Sequence, residues 1–318
     1  MFKPLLLIGK RLRIPPLLMI MSFSLSCWGE VVISDTDPAI QALLASVEKA
    51  LQTTSYSGIY TYEHTGTIES IRVNHQVFGG AQTNRLEHLS GRVAKAIVHH
   101  FDEHSCDQPL SSRQNAFQQR NLVQYYRFQT IGDDRIAGRP VIMLAAEPRD
   151  EYRFGYRLAV DSETHLPLLL SLVNGQRIIE RFQFVEFTPI EDSDSAIVQT
   201  EPDDHLVSVN CAKVENHSAW KLGWVPGGFN LVAVKTDQQT DMFLYSDGIS
   251  RFSVFVSRSA GGPTLEGEAR RGATVVYLDK ALAGGEVFQV AVVGEVPKVT
   301  AQKLAMSIGQ VAVTAPQE

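Results

Sequence analysis

The densest group of chemically capable side chains is His99-His100-Phe-Asp102-Glu103-His104-Ser-Cys106. As a helix this run would put His100 and His104 on one face. As a strand it would put His100, Asp102 and His104 there, and either set could begin a zinc site. A metal site needs further ligands from elsewhere in the chain, and no spacing shows them converging, so the run is read as a solvated, histidine-rich loop holding no metal. Asp161 and Glu163 fall in a turn after a strand pattern and read as capping or solvating that turn, not as an acid–base pair. Arg153 and Arg157, four apart on the polar side of the same pattern, could receive an anionic group. The plainer reading is that they keep that side wet. The sequence has no Gly-x-Ser-x-Gly, no His-Glu-x-x-His, no phosphate loop, no dinucleotide-type glycine run and no Cys-x-x-Cys pair, which are the motifs that place nucleophiles, metals and nucleotides. The chain therefore reads as a non-enzyme with no catalytic residue and no cofactor.

Composition narrows the partners. The 318 residues are 44% hydrophobic and 20% charged, with a formal net charge of −6, enough for two ordinary cores and ill-suited to a polyanion, so no nucleic-acid partner is expected. Four of the cations, Lys3, Lys10, Arg11 and Arg13, precede an apolar stretch from Ile14 to Leu25 and small residues at Ser24, Ser26 and Gly29. This is the layout of a secretory signal, and its apolar run is shorter than the ~20 residues of a membrane span. Residues 1–29 are read as a cleaved address; a retained anchor and a lipid-modified Cys27 are the alternatives. An exported chain meets an oxidising compartment, where Cys106 and Cys211 could close a disulfide, two separate buried thiols being the other reading.

Any site must be held by the elements around it. Asp37-Pro38, with Ile40, Leu43, Leu44, Val47, Ala50 and Leu51 following, predicts a capped amphipathic helix over 38–51. From Tyr56 the period becomes two. Strands are expected at 56–62 and 71–78 around a turn near Gly66, and at 152–160 with Tyr152, Phe154, Tyr156, Leu158 and Val160 on one face and Arg153 and Arg157 on the wet one. The runs 166–173 and 176–187 are expected to form a hairpin turning on Asn174-Gly175. Residues 191–204 carry six acids and break the pattern, as a boundary between domains would. Strand patterns resume at 229–234, 242–245, 252–256, 274–278 and 288–293, and a last helix is expected over 300–310 with Leu304, Ala305 and Ile308 on one face. The fold class is α+β. A helix packs on a curved antiparallel sheet over 30–190, a linker spans 191–218, and a smaller α+β domain occupies 219–318. The aromatic rows at 152–160 and 182–187 could fill a core against the helix or line a slot for acyl chains.

Several segments resemble, in order, the RseB/MucB family. Gly132 to Arg139, Tyr152 to Asp161 with Thr164-His-Leu-Pro167, and Glu180 to Phe184 resemble its N-terminal domain. Trp224 to Phe229, Leu244 to Ile249, Phe252 to Val256 and Val292 to Pro297 resemble its C-terminal domain. The resemblance implies a periplasmic negative regulator of an envelope-stress sigma factor, with an N-terminal half-barrel similar to lipoprotein carriers. Its implied partner is the periplasmic domain of a membrane-spanning anti-sigma factor, shielded from a site-1 protease and released on sensing lipid or lipopolysaccharide. A lipid or lipoprotein carrier is the alternative function. Tyr245, Asp247, Phe252 and Phe255 are the candidate partner-binding residues, since their strand follows a Ser246-Asp247-Gly248 turn and could offer apolar side chains and edges to an extended segment. Tyr152, Phe154, Tyr156, Phe182 and Phe184 are the candidate lipid-binding residues. Self-association is left open.

Overall fold

The protein is described from a computed structural model covering residues 37–78, 81–90, 97–101, 122–190, 205–207, 218–258 and 264–310. The signal-like segment, Cys106, Cys211, His104 and the acidic run at 191–204 lie outside the described residues.

Helix α1 (Pro38–Thr53) starts where its sequence says it should: the Asp37 carboxylate accepts from the Ala39 N–H at 2.8 Å, with proline in the first turn, satisfying a donor that the helix itself leaves unpaired. Ile40, Val47, Ala50 and Leu51 form its buried stripe. The helix packs on a curved sheet of ten strands: β1 (Ser55–His64), β2 (Thr67–Phe78), β3 (Ala81–His88), β4 (Ile97–Phe101), β5 (Tyr126–Ile136), β6 (Arg139–Pro148), β7 (Gly155–Asp161), β8 (Pro167–Asn174), β9 (Arg177–Ile190) and β10 (His205–Val207), ordered β10-β4-β3-β2-β1-β9-β8-β7-β6-β5. A short helix, α2 (Leu122–Tyr125), leads into β5. Adjacent strands are antiparallel except β10, which pairs parallel to β4 and falls inside the span read as linker. His99 and His100 lie in β4, opposite Asn84 and Thr83 of β3, so that part of the histidine run is strand backbone, not loop.

A second sheet of six antiparallel strands is formed by β12 (Asn230–Thr236), β13 (Thr240–Ser246), β14 (Arg251–Arg258), β15 (Gly267–Arg271), β16 (Thr274–Ala283) and β17 (Glu286–Gly294), ordered β12-β13-β14-β17-β16-β15. Helix α3 (Lys298–Met306) packs on it through Ala301, Leu304 and Ala305, and β11 (Trp220–Leu222) pairs with β18 (Ile308–Gln310). Among the described residues no helix is long and apolar enough to cross a membrane.

Three local expectations need correction. The strand expected from Tyr152 begins at Gly155, and β7 is buried on both sides; Arg153 is 3% exposed instead of solvated. Arg153, just before the strand, is covered by Asp247, Gly227 and Phe229 of the second lobe, whereas Asp161 at the end of β7 is enclosed by Arg139 and Thr164 of its own lobe. The β8–β9 hairpin turns on Gly175-Gln176, one residue late, because Asn174 still pairs with Arg177; Gly175, with φ 60°, supplies the positive angle a two-residue hairpin turn needs. The last helix ends at Met306, and Ile308 is a strand residue, because Trp220 to Leu222 offers it a partner edge that helical periodicity could not reveal.

Candidate functional site

Of the residues singled out in the sequence, Arg153, Asp247 and Tyr152 meet at the seam between the lobes, and Phe154, Tyr156 and Phe184 in the core of the larger sheet. The seam is built around Arg153. Its Nη1 donates to Asp247 Oδ2 at 3.0 Å, its Nε to Asp150 Oδ1 at 3.1 Å and its Nη2 to the Gly227 carbonyl. The Arg153 and Asp247 side chains are both fully buried. The guanidinium also lies over the rings of Tyr125 and Phe229, at 4.8 and 5.3 Å, a placement suited to its flat, weakly hydrated charge.

Asp247 holds its place through its own turn. Its Oδ1 accepts from the N–H groups of Ile249 and Ser250 at 3.0 and 2.8 Å, and its Oδ2 also accepts from the Tyr126 hydroxyl at 3.2 Å. Burial raises the Asp247 carboxyl above its ordinary value, against the opposing pull of the Ser250 N–H and Arg153. Burial, with the neighbouring Asp247 charge, likewise pushes the Tyr126 phenol well up. Tyr156 and Ser250 share a 2.7 Å hydrogen bond across the same seam. Gly228, with φ 86°, allows Tyr125 to lie against it; a Cβ there would sit 2.5 Å from the ring, a contact that no side chain tolerates.

On the outer rim, Tyr152 and Trp224 meet edge-on at 4.9 Å, and Lys303 of α3 sits over both rings at 4.7 and 4.1 Å. The Thr300 hydroxyl donates to the Tyr152 carbonyl at 2.9 Å. At the other end of the seam, buried Glu180 accepts from the Ala273 N–H at 2.8 Å and the Tyr62 hydroxyl at 2.9 Å. Such contacts join what the sequence presents as separate motifs: Tyr152–Asp161, Trp224–Phe229 and Leu244–Ile249 all converge here. One apolar cluster runs across the lobes and includes Ile249 and Ala273 with the core of the larger sheet.

The candidate partner-binding residues divide by face. Asp247 is in the seam. Phe252 is 1% exposed in the core of the second lobe, stacked on half-buried Tyr245 at 5.3 Å. Phe255 points to the opposite face of β14, half-buried between Met242 and Ala291 of the neighbouring strands. The candidate lipid-binding residues divide likewise. Tyr152 is on the rim of the seam. Phe154, Tyr156 and Phe184 are buried in the same cluster as α1, and Phe184 packs edge-on to Tyr56 and Phe187 at 5.9 and 5.4 Å. Phe182 is half-buried and stacks on Tyr62 at 4.4 Å.

Asp161 and Glu163 do what a turn asks of them. Arg139 grips both Asp161 oxygens at 2.8 and 2.9 Å and reaches Glu163 at 2.6 Å, while Thr164 donates its N–H and hydroxyl to Asp161. Burial alone would raise Asp161, but these donors outweigh it and hold the carboxyl below its ordinary value. Among the described residues no set of histidine, cysteine or acid side chains is placed to hold a metal. Arg153, Tyr126 and the Gly227-Gly228 pair were not legible as a site; the one signal was an arginine inside an aromatic-rich run.

Comparison with known proteins covers both lobes. Residues 39–202 match the MucB/RseB N-terminal domain and residues 214–309 the MucB/RseB C-terminal domain. The chain is 31% identical over 297 residues to the sigma factor AlgU regulatory protein MucB of Pseudomonas aeruginosa, covering 85% of this chain and 92% of that protein. It is 25% identical over 298 residues to the sigma-E factor regulatory protein RseB of Escherichia coli K12, covering 85% and 91%. Among solved structures, the Pseudomonas aeruginosa MucA/MucB complex matches with a TM-score of 0.73 at 29% identity, over 86% of this chain and 100% of that one. MucB alone matches with a TM-score of 0.60 at 28% identity, over 86% and 99%. With both lobes matched in order and along nearly their whole length, this chain belongs to the MucB/RseB family.

Proposed function

We propose that this chain is a non-catalytic periplasmic regulator that binds the periplasmic segment of a membrane-spanning anti-sigma factor and keeps it from the protease that begins its destruction. The observation that carries the reading is the likeness, across both lobes, to MucB solved in complex with MucA. The secretory layout of residues 1–29 supports the compartment, and the names of the relatives, all regulatory proteins, support the absence of catalysis. In this reading residues 30–190 and 219–318 act as the two domains, Phe255 is the candidate partner contact still open on a strand face, and the half-buried Phe182 with Tyr62 is the candidate lipid contact. Lipid or lipopolysaccharide would release the partner by favouring a different arrangement of the lobes, because a ligand with equal affinity for both arrangements shifts nothing.

The test is a protection assay. The purified chain is mixed with the periplasmic segment of the anti-sigma factor from the same organism and challenged with the site-1 protease. Cleavage is expected to slow in proportion to the bound fraction and to recover when lipopolysaccharide is added. Unhindered cleavage at saturating protein would overturn the regulator reading, and protection unaffected by lipopolysaccharide would overturn the inducer.

A further inference from the structure

A cavity of about 580 Å³ opens between the lobes beyond the end of β1, walled by the β1–β2 turn, the β8–β9 hairpin and the β15–β16 turn. Its ionisable lining consists of Arg177, Arg181, Arg270, His64, Glu63 and Glu180. The two acids are poor counterions for the three arginines. Glu180 is buried and committed to the Tyr62 hydroxyl and the Ala273 N–H, and Glu63 comes no closer to Arg181 than 4.0 Å. Arg177 and Arg270 are exposed and make no salt bridge among the described residues; Arg270 only overlies the Phe154 ring at 5.9 Å.

Two polar atoms of this lining, His64 Nδ1 and Arg181 Nε, are buried with no hydrogen-bond partner among the described residues. The His64 side chain is 4% exposed; its Nε2 bonds Glu69 at 3.1 Å and its ring stacks on Tyr62 at 4.6 Å, so the direction of Nδ1 is set. Buried polar atoms are seldom left unpaired in a folded chain, and one that is asks for an occupant. With Nε2 already given to a carboxylate, Nδ1 is the ring's remaining hydrogen-bonding atom. Three guanidiniums with little local counter-charge, one of them with a buried Nε–H that has no acceptor among the described residues, match a group that presents several negative oxygens at once.

We propose that this cavity is a binding site for a phosphate group, held by Arg177 and Arg181 of the larger lobe and Arg270 of the smaller one, with His64 beneath. The site needs both lobes, and so its occupant would tie them together. The same chemistry is offered by a free phosphate or by a phosphorylated lipid headgroup, and the experiment separates the two.

The purified chain is titrated with inorganic phosphate by calorimetry, and its sedimentation is followed with phosphatidic acid vesicles and with phosphatidylcholine vesicles. The comparison is the double variant Arg177→Gln, Arg270→Gln, at two exposed positions, with the single Arg270→Gln as the fallback should the double variant unfold. Saturable phosphate binding that raises the unfolding midpoint and weakens at least about tenfold in the variant is the expected result. Sedimentation with phosphatidic acid vesicles alone, lost in the variant, supports the site with a lipid as the source. Binding that the variant retains at full strength, or the absence of binding to both phosphate and phosphatidic acid, would overturn the proposal.

Discussion

Arg153 Nη1 lies 3.0 Å from Asp247 Oδ2 with both side chains out of reach of solvent, although 94 positions separate them in the chain. The pair is the one charged link at the centre of the seam among the described residues, and it is enclosed by Tyr125, Tyr126 and Phe229.

Removing Asp247 breaks a buried pair and leaves the Arg153 guanidinium with Asp150 as its remaining carboxylate partner. Asp247→Ala also takes an acceptor from Tyr126 and from the N–H groups of Ile249 and Ser250. A loss of about 3–5 kcal/mol is expected, read as a lower urea midpoint. Asp247→Asn, which keeps an oxygen for the turn, should lose less. A change under about 1 kcal/mol in Asp247→Ala would mean that the seam does not depend on this contact.

The two phenylalanines of β14 should behave oppositely. Phe252→Ala empties a fully packed position and is expected to cost about 3–5 kcal/mol of stability. Phe255→Ala, on the other face and only half-buried, should cost clearly less than Phe252→Ala while weakening capture of the anti-sigma segment by roughly tenfold or more. Equal binding by Phe255→Ala and the unmutated chain would remove Phe255 from the contact.

His75 is buried against Tyr56, and burial lowers its pKa while the Asn84 bond pulls the other way. Unfolded, the ring takes a proton near pH 6.5, which the folded state resists. The contribution is therefore present above about 6.5 and is lost as pH falls through the lower, folded value. Urea midpoints should decline on acidification below about pH 6.5, and His75→Gln should flatten that decline. An unchanged slope in the variant would assign the acid sensitivity elsewhere.

Asp161 works at lower pH. Its folded value lies below the ordinary one, so its contribution is full above about pH 3.9 and disappears as pH falls through the folded value. Asp161→Asn is expected to lower stability at neutral pH, by leaving Arg139 without its main counterion, and to make the loss of stability below about pH 4 shallower. Parallel acid-unfolding curves for the variant and the unmutated chain would contradict this.

The sequence read alone went far with the local elements. Asp37-Pro38 and the spacing of Ile40, Val47 and Leu51 are enough to start α1 and aim its buried stripe, because capping and helical periodicity act over a few residues. Period-two patterning placed most strands of both sheets for the same reason. It failed where a residue's partner is remote. The edge that captures Ile308 comes from Trp220 to Leu222, and the Gly175-Gln176 turn follows from pairing further along β8 and β9.

The site followed the same division. The ordered family segments were legible in the sequence, and with them the family and its two-part plan. Which aromatics form core was decided by how α1 and the larger sheet pack, and that Arg153 is a buried tether instead of a solvated arginine by the second lobe lying over it. Burial and charge pairing are properties of surfaces brought together, and the Arg153–Asp247 contact spans residues whose neighbours in sequence carry no mark of each other.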